Sequence, residues 1–274
     1  MHFERASLSR LYLRETGSRS LSKTSRSGDG IPTYRIGMLT PSSNSVLEPA
    51  TSALVAPMAD RVGVHYGRFR VTRIALDSGS DSQFAYEPIL AAADLLADAR
   101  PSIIAWNGTS ASWRGFDTDD RLCEMIEERT GCPATSAIVS LNQALDAFSA
   151  TRIGLVTPYT DDVEAAIAGN YAKIGVQVVA ARHAGLSENY AFAEIGFRRV
   201  EEMCREVAAT KPDAIAVVCT NMRGPLVAPH VEAEFGIPVI DSIAVTLWGA
   251  LRALEVDTTP LAGFGRIFEL KAAP

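Results

Sequence analysis

The chain has 274 residues, 47% of them hydrophobic and 21% charged, which allows one large domain or two of about 130 residues and excludes disorder or a fibrous repeat for the chain as a whole. With 26 Lys plus Arg against 32 Asp plus Glu the net charge is −6, which disfavours a general nucleic-acid binder, because phosphate contacts need a clustered basic surface. No apolar run approaches the roughly 18–20 residues of a membrane helix, and four cysteines without CxxC pairs exclude a disulfide scaffold and a standard zinc site, so the expectation is a soluble, cytoplasmic protein.

Residues 1–33 hold six basic side chains (Arg5, Arg10, Arg14, Arg19, Lys23 and Arg26), three acidic ones (Glu4, Glu15 and Asp29) and seven serines. The segment is therefore +3, which leaves −9 for the remainder of a chain whose total is −6. It contains no apolar core of a secretory signal, and its acids argue against an organellar transit peptide. The expectation is a flexible basic extension, with folded structure beginning near Tyr34.

From there, apolar runs and helical spacing predict strands over 34–39, roughly 62–71 and 102–107, and a short strand near 133–137. Helices are predicted over 46–57, 87–99, 117–129 and 139–148; in 87–99, Leu90, Ala91 and Leu95 mix with Asp94 and Asp98 at helical spacing. The second half repeats the alternation, with strands over 152–156, 175–180, 214–218 and 238–240. Its helices are predicted over 160–173, 190–209, 225–235 and 242–254.

The two halves also match in detail. Tyr34-Arg35-Ile36-Gly37-Met38-Leu39-Thr40-Pro41 recurs as Thr151-Arg152-Ile153-Gly154-Leu155-Val156-Thr157-Pro158. Arg100-Pro101-Ser102-Ile103-Ile104-Ala105 recurs as Lys211-Pro212-Asp213-Ala214-Ile215-Ala216, and Gly131-Cys132-Pro133-Ala134 as Gly236-Ile237-Pro238-Val239. The offsets of 117, 111 and 105 keep their order while only loop lengths drift, so the chain reads as a duplicated unit. Short apolar strands alternating with helices indicate parallel sheets covered on both faces. The predicted fold is α/β: two pseudo-symmetric, doubly wound lobes, 34–150 and 151–255, facing each other across a cleft, with residues near the C-terminus returning to the first lobe.

In such sheets, ligands sit outside the carboxyl ends of the strands. The predicted tips are Thr40-Pro41-Ser42-Ser43-Asn44, Asn107-Gly108-Thr109-Ser110, Thr157-Pro158-Tyr159-Thr160 and Cys219-Thr220-Asn221. Each tip alone is ordinary, since Ser, Thr and Asn are good helix caps. Together they offer convergent neutral donors suited to a small carboxylate. Cys123 and Cys204 fall in amphipathic helices and read as packing residues, and Cys132 precedes a strand. Cys219 ends a strand, where an exposed thiol with a pKa lowered by a following helix could act as acid, base or nucleophile. The repeat maps it onto Gly108, so the first lobe lacks a second thiol and offers room and the N–H groups of Thr109 and Ser110. Trp106 and Trp113 flank that loop as candidate pocket walls, Arg114 and Arg223 are candidate partners for a second carboxylate, and His230 reads as a helix-surface residue.

On these motifs the chain, over about residues 34–255, resembles the aspartate/glutamate racemase superfamily, in the branch that contains maleate cis-trans isomerases and arylmalonate decarboxylases. Pro41-Ser42-Ser43-Asn44 resembles the isomerases' first substrate loop, Thr157-Pro158-Tyr159 their second-lobe loop, and Leu186-Ser187-Glu188-Asn189 a further Asn-bearing loop. Gly108-Thr109-Ser110-Ala111-Ser112-Trp113-Arg114-Gly115 is instead similar to the decarboxylases' loop. The resemblance implies Cys219 as the catalytic residue, with Ser43, Asn44, Gly108, Thr109, Ser110, Tyr159, Asn189 and Thr220 around a carboxylate or oxyanion. Single-thiol proteins of ectoine utilisation resemble the same hybrid.

The implied function is a metal- and cofactor-independent isomerase or lyase acting beside the carboxylate of a small carboxylic or dicarboxylic acid through an enediolate. Amino-acid-type racemisation and a non-catalytic carboxylate-binding protein are the alternatives. The expected partners are that acid and a second copy of the chain, with neither nucleic acid nor membrane. Neither GxGxxG nor GxxxxGK[ST] follows a first strand, so hydride and phosphoryl transfer are not supported.

Overall fold

The computed structural model describes residues 32–270 apart from 77, 78, 80 and 81; the extension predicted over 1–33 lies, but for its last two residues, outside the described residues. The first lobe is built from β1 (Tyr34–Pro41), α1 (Leu47–Val55), β2 (Val62–Phe69), α2 (Tyr86–Ala97), β3 (Ile103–Trp106), α3 (Ala111–Arg114), α4 (Asp117–Thr130), β4 (Ala134–Ser136) and α5 (Ala137–Ala147). The second follows with β5 (Arg152–Thr157), α6 (Asp161–Lys173), β6 (Gln177–His183), α7 (Asn189–Phe192), α8 (Phe197–Ala208), β7 (Ala214–Val217), α9 (Gly224–Phe235), β8 (Val239–Asp241) and α10 (Ser242–Ala253). Both sheets are wholly parallel, ordered β2-β1-β3-β4 and β6-β5-β7-β8. Strand order reverses between β1 and β3 and between β5 and β7, so each lobe has its crevice at that switch point.

The duplication is reproduced in the pairing register. Ile36 faces Ile103 in the first sheet and Ile153 faces Ala214 in the second; Ile104 faces Ala134, and Ile215 faces Val239. Those four correspondences carry the same offsets of 117, 111 and 105 as the sequence repeats. Backbone turns repeat as well: Gly131 and Gly236 both end helices in the left-handed region, at φ 68° and 69°, where a residue without Cβ is favoured.

The core of each lobe is the sheet itself. β1 is buried from Ile36 onward, and β3, β7 and β8 are buried throughout, as expected for strands covered on both faces. Helix α10 joins the lobes. It packs on α5 and reaches α1, β3 and β4 of the first lobe, and its residues Ser242–Leu251 are all buried. A Cβ at Gly249 would lie 2.1 Å from Ser140 Oγ, so the two helices approach at near-backbone distance and no side chain fits between them. Beyond α10, the turns of Thr259–Phe264 touch α1 and α9. No helix among the described residues is long and apolar enough to cross a membrane.

Several element boundaries depart from the sequence expectation; the strand predicted over 175–180, for one, runs from Gln177 to His183. The helix predicted over 190–209 is two helices, broken at residues 193–196, because Gly196 takes extended backbone as the N-cap of α8 and its carbonyl starts that helix by accepting from Arg199 N–H at 3.0 Å. The strand predicted over 62–71 stops at Phe69. The short α3 went unforeseen; four residues are too few for a periodic signal.

Candidate functional site

The tips of β1, β3, β5 and β7 meet between the lobes and bring most of the predicted site residues together. Thr109, at the tip of β3, faces Tyr159, at the tip of β5, with Thr109 Oγ1 and the tyrosine hydroxyl 2.7 Å apart. Tyr159 is buried, edge-on to Trp113 at a centroid distance of 5.2 Å and to Phe192 at 5.5 Å. Burial, reinforced by the neighbouring Cys219, holds its hydroxyl well above the ordinary tyrosine range, so it is a neutral donor. Among the described residues the N–H groups of Thr109 and Ser110 donate to no carbonyl or side chain. Buried donors left unmade cost about 1–3 kcal/mol each, a deficit that a bound anion would remove.

Cys219 lies just beyond β7 and is 3% exposed. Its Sγ accepts the Asn221 N–H at 3.3 Å, and its side chain also interacts with the Tyr159 hydroxyl. The thiol is pushed up to about 12, chiefly by burial, against smaller lowering by the Asn221 N–H and Tyr159. This corrects the sequence expectation of an exposed thiol with a lowered pKa. The next helix, α9, begins only at Gly224, so no helix N-terminus stabilises a thiolate. The Cys219 thiol is therefore neutral at physiological pH.

The other predicted polar residues form a clasp between the lobes. Asn44 Oδ1 accepts the Val46 and Leu47 N–H groups at 3.0 and 2.9 Å, starting α1. Its Nδ2 donates to Thr220 O at 3.0 Å and Thr220 Oγ1 at 3.2 Å. Thr220 in turn donates to Asn107 O at 2.9 Å. Asn189 donates to Ser43 Oγ at 2.7 Å, which itself donates to Val71 O at 2.6 Å. Ser43, Asn44, Asn189 and Thr220 thus gather at the thiol loop, with the donors of Asn44, Asn189 and Thr220 engaged across the cleft and that of Ser43 within the first lobe.

The expected room at position 108 is absent. A Cβ built on Gly108 would lie 1.9 Å from Trp106 Cζ2 and 2.3 Å from Cε2, so the indole fills that space. Trp113 borders the site through Tyr159, whereas Arg114 stacks its guanidinium over Phe84 at 5.7 Å. His230 is exposed on α9 and lies 3.4 Å from Glu201. Cys123, Cys132 and Cys204 are buried away from the tips. No cluster of three or more His, Cys, Asp or Glu among the described residues could hold a metal ion.

Sequence reasoning missed three supporting groups. Asn221 Oδ1 accepts the Ser45 and Val46 N–H groups at 3.0 and 3.3 Å, and its Nδ2 donates to Asn189 O at 2.6 Å; its place after Cys219 was the available signal. Asp241 caps α10 through Ile243 and Ala244 N–H at 2.7 and 3.0 Å, and Asp119 accepts Trp106 Nε1–H at 3.1 Å. Both carboxyls are wholly buried, each has an unpartnered Oδ2, and burial pushes each up to about 7. Asp241 was signalled as a cap by its position before an apolar helix; nothing in the sequence around Asp119 distinguished it from its acidic neighbours on α4.

Comparisons with known proteins run through both lobes. An arylmalonate decarboxylase from Bordetella bronchiseptica is 26% identical over 240 residues, covering 86% of this chain and 97% of the relative. A maleate isomerase from Alcaligenes faecalis is 25% identical over 253 residues, covering 84% and 95%. A mutant of Nocardia farcinica maleate cis-trans isomerase, solved with a covalently bound succinylcysteine intermediate, has a TM-score of 0.77 at 22% identity, covers 86% of this chain and 98% of its own, and shares the fold. The family model described as arylmalonate decarboxylase matches residues 45–268, from the β1 tip to the final turns. The chain therefore belongs to the arylmalonate decarboxylase family, whose relatives here are lyases and isomerases.

Proposed function

We propose that the chain is a cytoplasmic, cofactor-independent lyase that removes one carboxylate from a small malonate-type diacid, with Cys219 returning the proton. The observation that carries this reading is one buried, neutral thiol beside Tyr159, whose hydroxyl meets Thr109 of a glycine loop with unused N–H groups. As the bond to the departing carboxylate breaks, its electron pair passes into the remaining carboxylate to give an enediolate, and carbon dioxide leaves. On this reading the Thr109 and Ser110 N–H groups and the Thr109 and Tyr159 hydroxyls hold the enediolate oxygens; the support is that both N–H groups are unused and the two hydroxyls meet at 2.7 Å. One such donor is typically worth about 2.7–4 kcal/mol. The Cys219 proton then moves to the α-carbon, and water reprotonates the thiolate.

A thiol pushed up to about 12 suits a donor to a carbanion-like carbon better than it suits a nucleophile, which must first be deprotonated. Cis-trans isomerisation by thiol addition is the second reading. It is favoured by Ser43, Asn44 and Asn189, which border the same thiol loop. The pH dependence separates the two: a proton donor keeps its rate from about pH 7 to 10, whereas a nucleophilic thiolate gains rate steadily over that range.

The test is a panel of substituted malonates, maleate and amino acids incubated in deuterium oxide and followed by NMR, with Cys219→Ala alongside. Carbon dioxide release with one deuterium at the α-carbon, lost in the variant, supports decarboxylation. Conversion of maleate to fumarate selects the isomerase. Binding of an acid without turnover, at an affinity unchanged by Cys219→Ala, identifies a binding protein.

A further inference from the structure

We infer that Trp106 is the residue that confines proton delivery to one face of the site, by filling the volume that any side chain at position 108 would need. The inference rests on the proposed function only for its stereochemical consequence; its steric basis does not. The backbone at Gly108 is not in the left-handed region, so an L side chain is compatible with its conformation. What excludes one is the indole: a Cβ there would lie 1.9, 2.3 and 2.6 Å from Trp106 Cζ2, Cε2 and Cη2, well inside van der Waals contact.

The indole is held against moving aside. Trp106 is 1% exposed, its Nε1–H donates to Asp119 Oδ1 at 3.1 Å, and its ring packs on Phe69 at a centroid distance of 4.9 Å. Asp119 is itself buried on α4, so swinging the ring would leave a buried acceptor unmade. The second lobe arranges the same positions in reverse. Trp106 corresponds to Val217 and Gly108 to Cys219, so where the first lobe places a large residue before a glycine, the second places a small residue before a thiol. Each lobe has space for one side chain at the tip, and Trp106 takes it in the first. An acid on that side is therefore excluded by shape as well as by the absence of a cysteine, and protonation of the planar enediolate can come only from the Cys219 side.

The test is a double-mutant cycle read by thermal unfolding, which needs no substrate. Gly108→Ala in the parent should lower Tm by roughly 5 °C or more, the expected effect of overpacking a closed core. In a Trp106→Val background, which copies the second lobe, the same substitution should change Tm by less than about 1 °C. If Trp106→Val does not fold, Trp106→Leu takes its place in the cycle. Equal losses in both backgrounds, or no loss in the parent, would overturn the inference. The chemical arm uses Trp106→Val with Gly108→Cys and the monoacid product in deuterium oxide. That variant should exchange the α-hydrogen at least tenfold faster than Gly108→Cys alone, because opposed thiols can remove a proton from one face and return deuterium on the other. Equal exchange in the two variants would contradict the gating by Trp106. Should no malonate react with the parent protein, the function reading fails while the stability cycle still decides the steric claim.

Discussion

The two lobes share a backbone and differ at their tips. Their sheets have the same strand order and equivalent register, and they repeat even the hydrogen bonds that tie the paired strand tips together: Asn107 N–H to Leu39 O at 3.0 Å in one, Val218 N–H to Val156 O at 2.9 Å in the other. One residue further on they diverge. The first lobe ends in Gly108-Thr109-Ser110 with Trp106 behind it, and the second in Cys219-Thr220-Asn221 with Val217 behind it. On the proposed function, the duplicated frame supplies an anion-binding side and a proton-donating side. The asymmetry lies in a handful of side chains, and the frame keeps them at matched positions.

The sharpest way to break this comparison is to remove the thiol. Cys219→Ala should lower kcat roughly 10²–10⁴-fold, the usual range for losing a positioned proton donor, with a folded protein by circular dichroism; an unchanged rate would remove the second lobe's assigned role. Beside the thiol, at the β5 tip of the same lobe, Tyr159→Phe should lower kcat roughly 10²-fold by deleting one hydroxyl from the enediolate cradle, with little change in KM. A rise in KM alone would make Tyr159 a binding residue only.

The clasp tests whether the lobes are held in place by their own tips. Asn221→Ala should destabilise the fold by about 1–3 kcal/mol, since it strips the acceptor from the Ser45 N–H, one of two acceptors from the Val46 N–H and the donor from the buried Asn189 carbonyl. Urea unfolding measures it, and a loss below about 0.5 kcal/mol would show that α10 and α5 hold the lobes unaided. A further expected effect is on pH. Asp119 and Asp241 are raised from 3.8 to about 7, so the folded state binds more protons than the unfolded one between those values. Their contribution to stability is present below about pH 4 and is lost as pH rises toward 7. The combined Asp119→Asn and Asp241→Asn substitutions should flatten Tm over that window; an unchanged slope would mean that neither carboxyl titrates there.

The sequence carried the frame well because the frame is periodic. Apolar runs, Gly131 and Gly236, and three offset matches are local signals, and each returned in the pairing of Ile36 with Ile103 and of Ile153 with Ala214. The broken helix around Gly196 was hidden, since the apolar spacing runs on through the break. The site residues were found by position at strand ends, yet their environment was not. The surroundings of Cys219 include Tyr159, a contact between residues 60 positions apart in the chain. The indole occupying the space at Gly108 was hidden for a different reason: residues two apart in a strand point to the same side, but only the turn after β3 folds the glycine back onto the ring. Asp119 became meaningful once Trp106 was seen to donate to it.

The central claim is that one neutral thiol protonates one face. Its most direct measurement is decarboxylation of a prochiral 2-aryl-2-methylmalonate in deuterium oxide, reading the isotope and the handedness of the product together. The account predicts a monoacid with a single α-deuterium and one configuration, formed by the parent protein and lost with Cys219→Ala. A racemic product from the parent, or an undiminished yield from the variant, would contradict it.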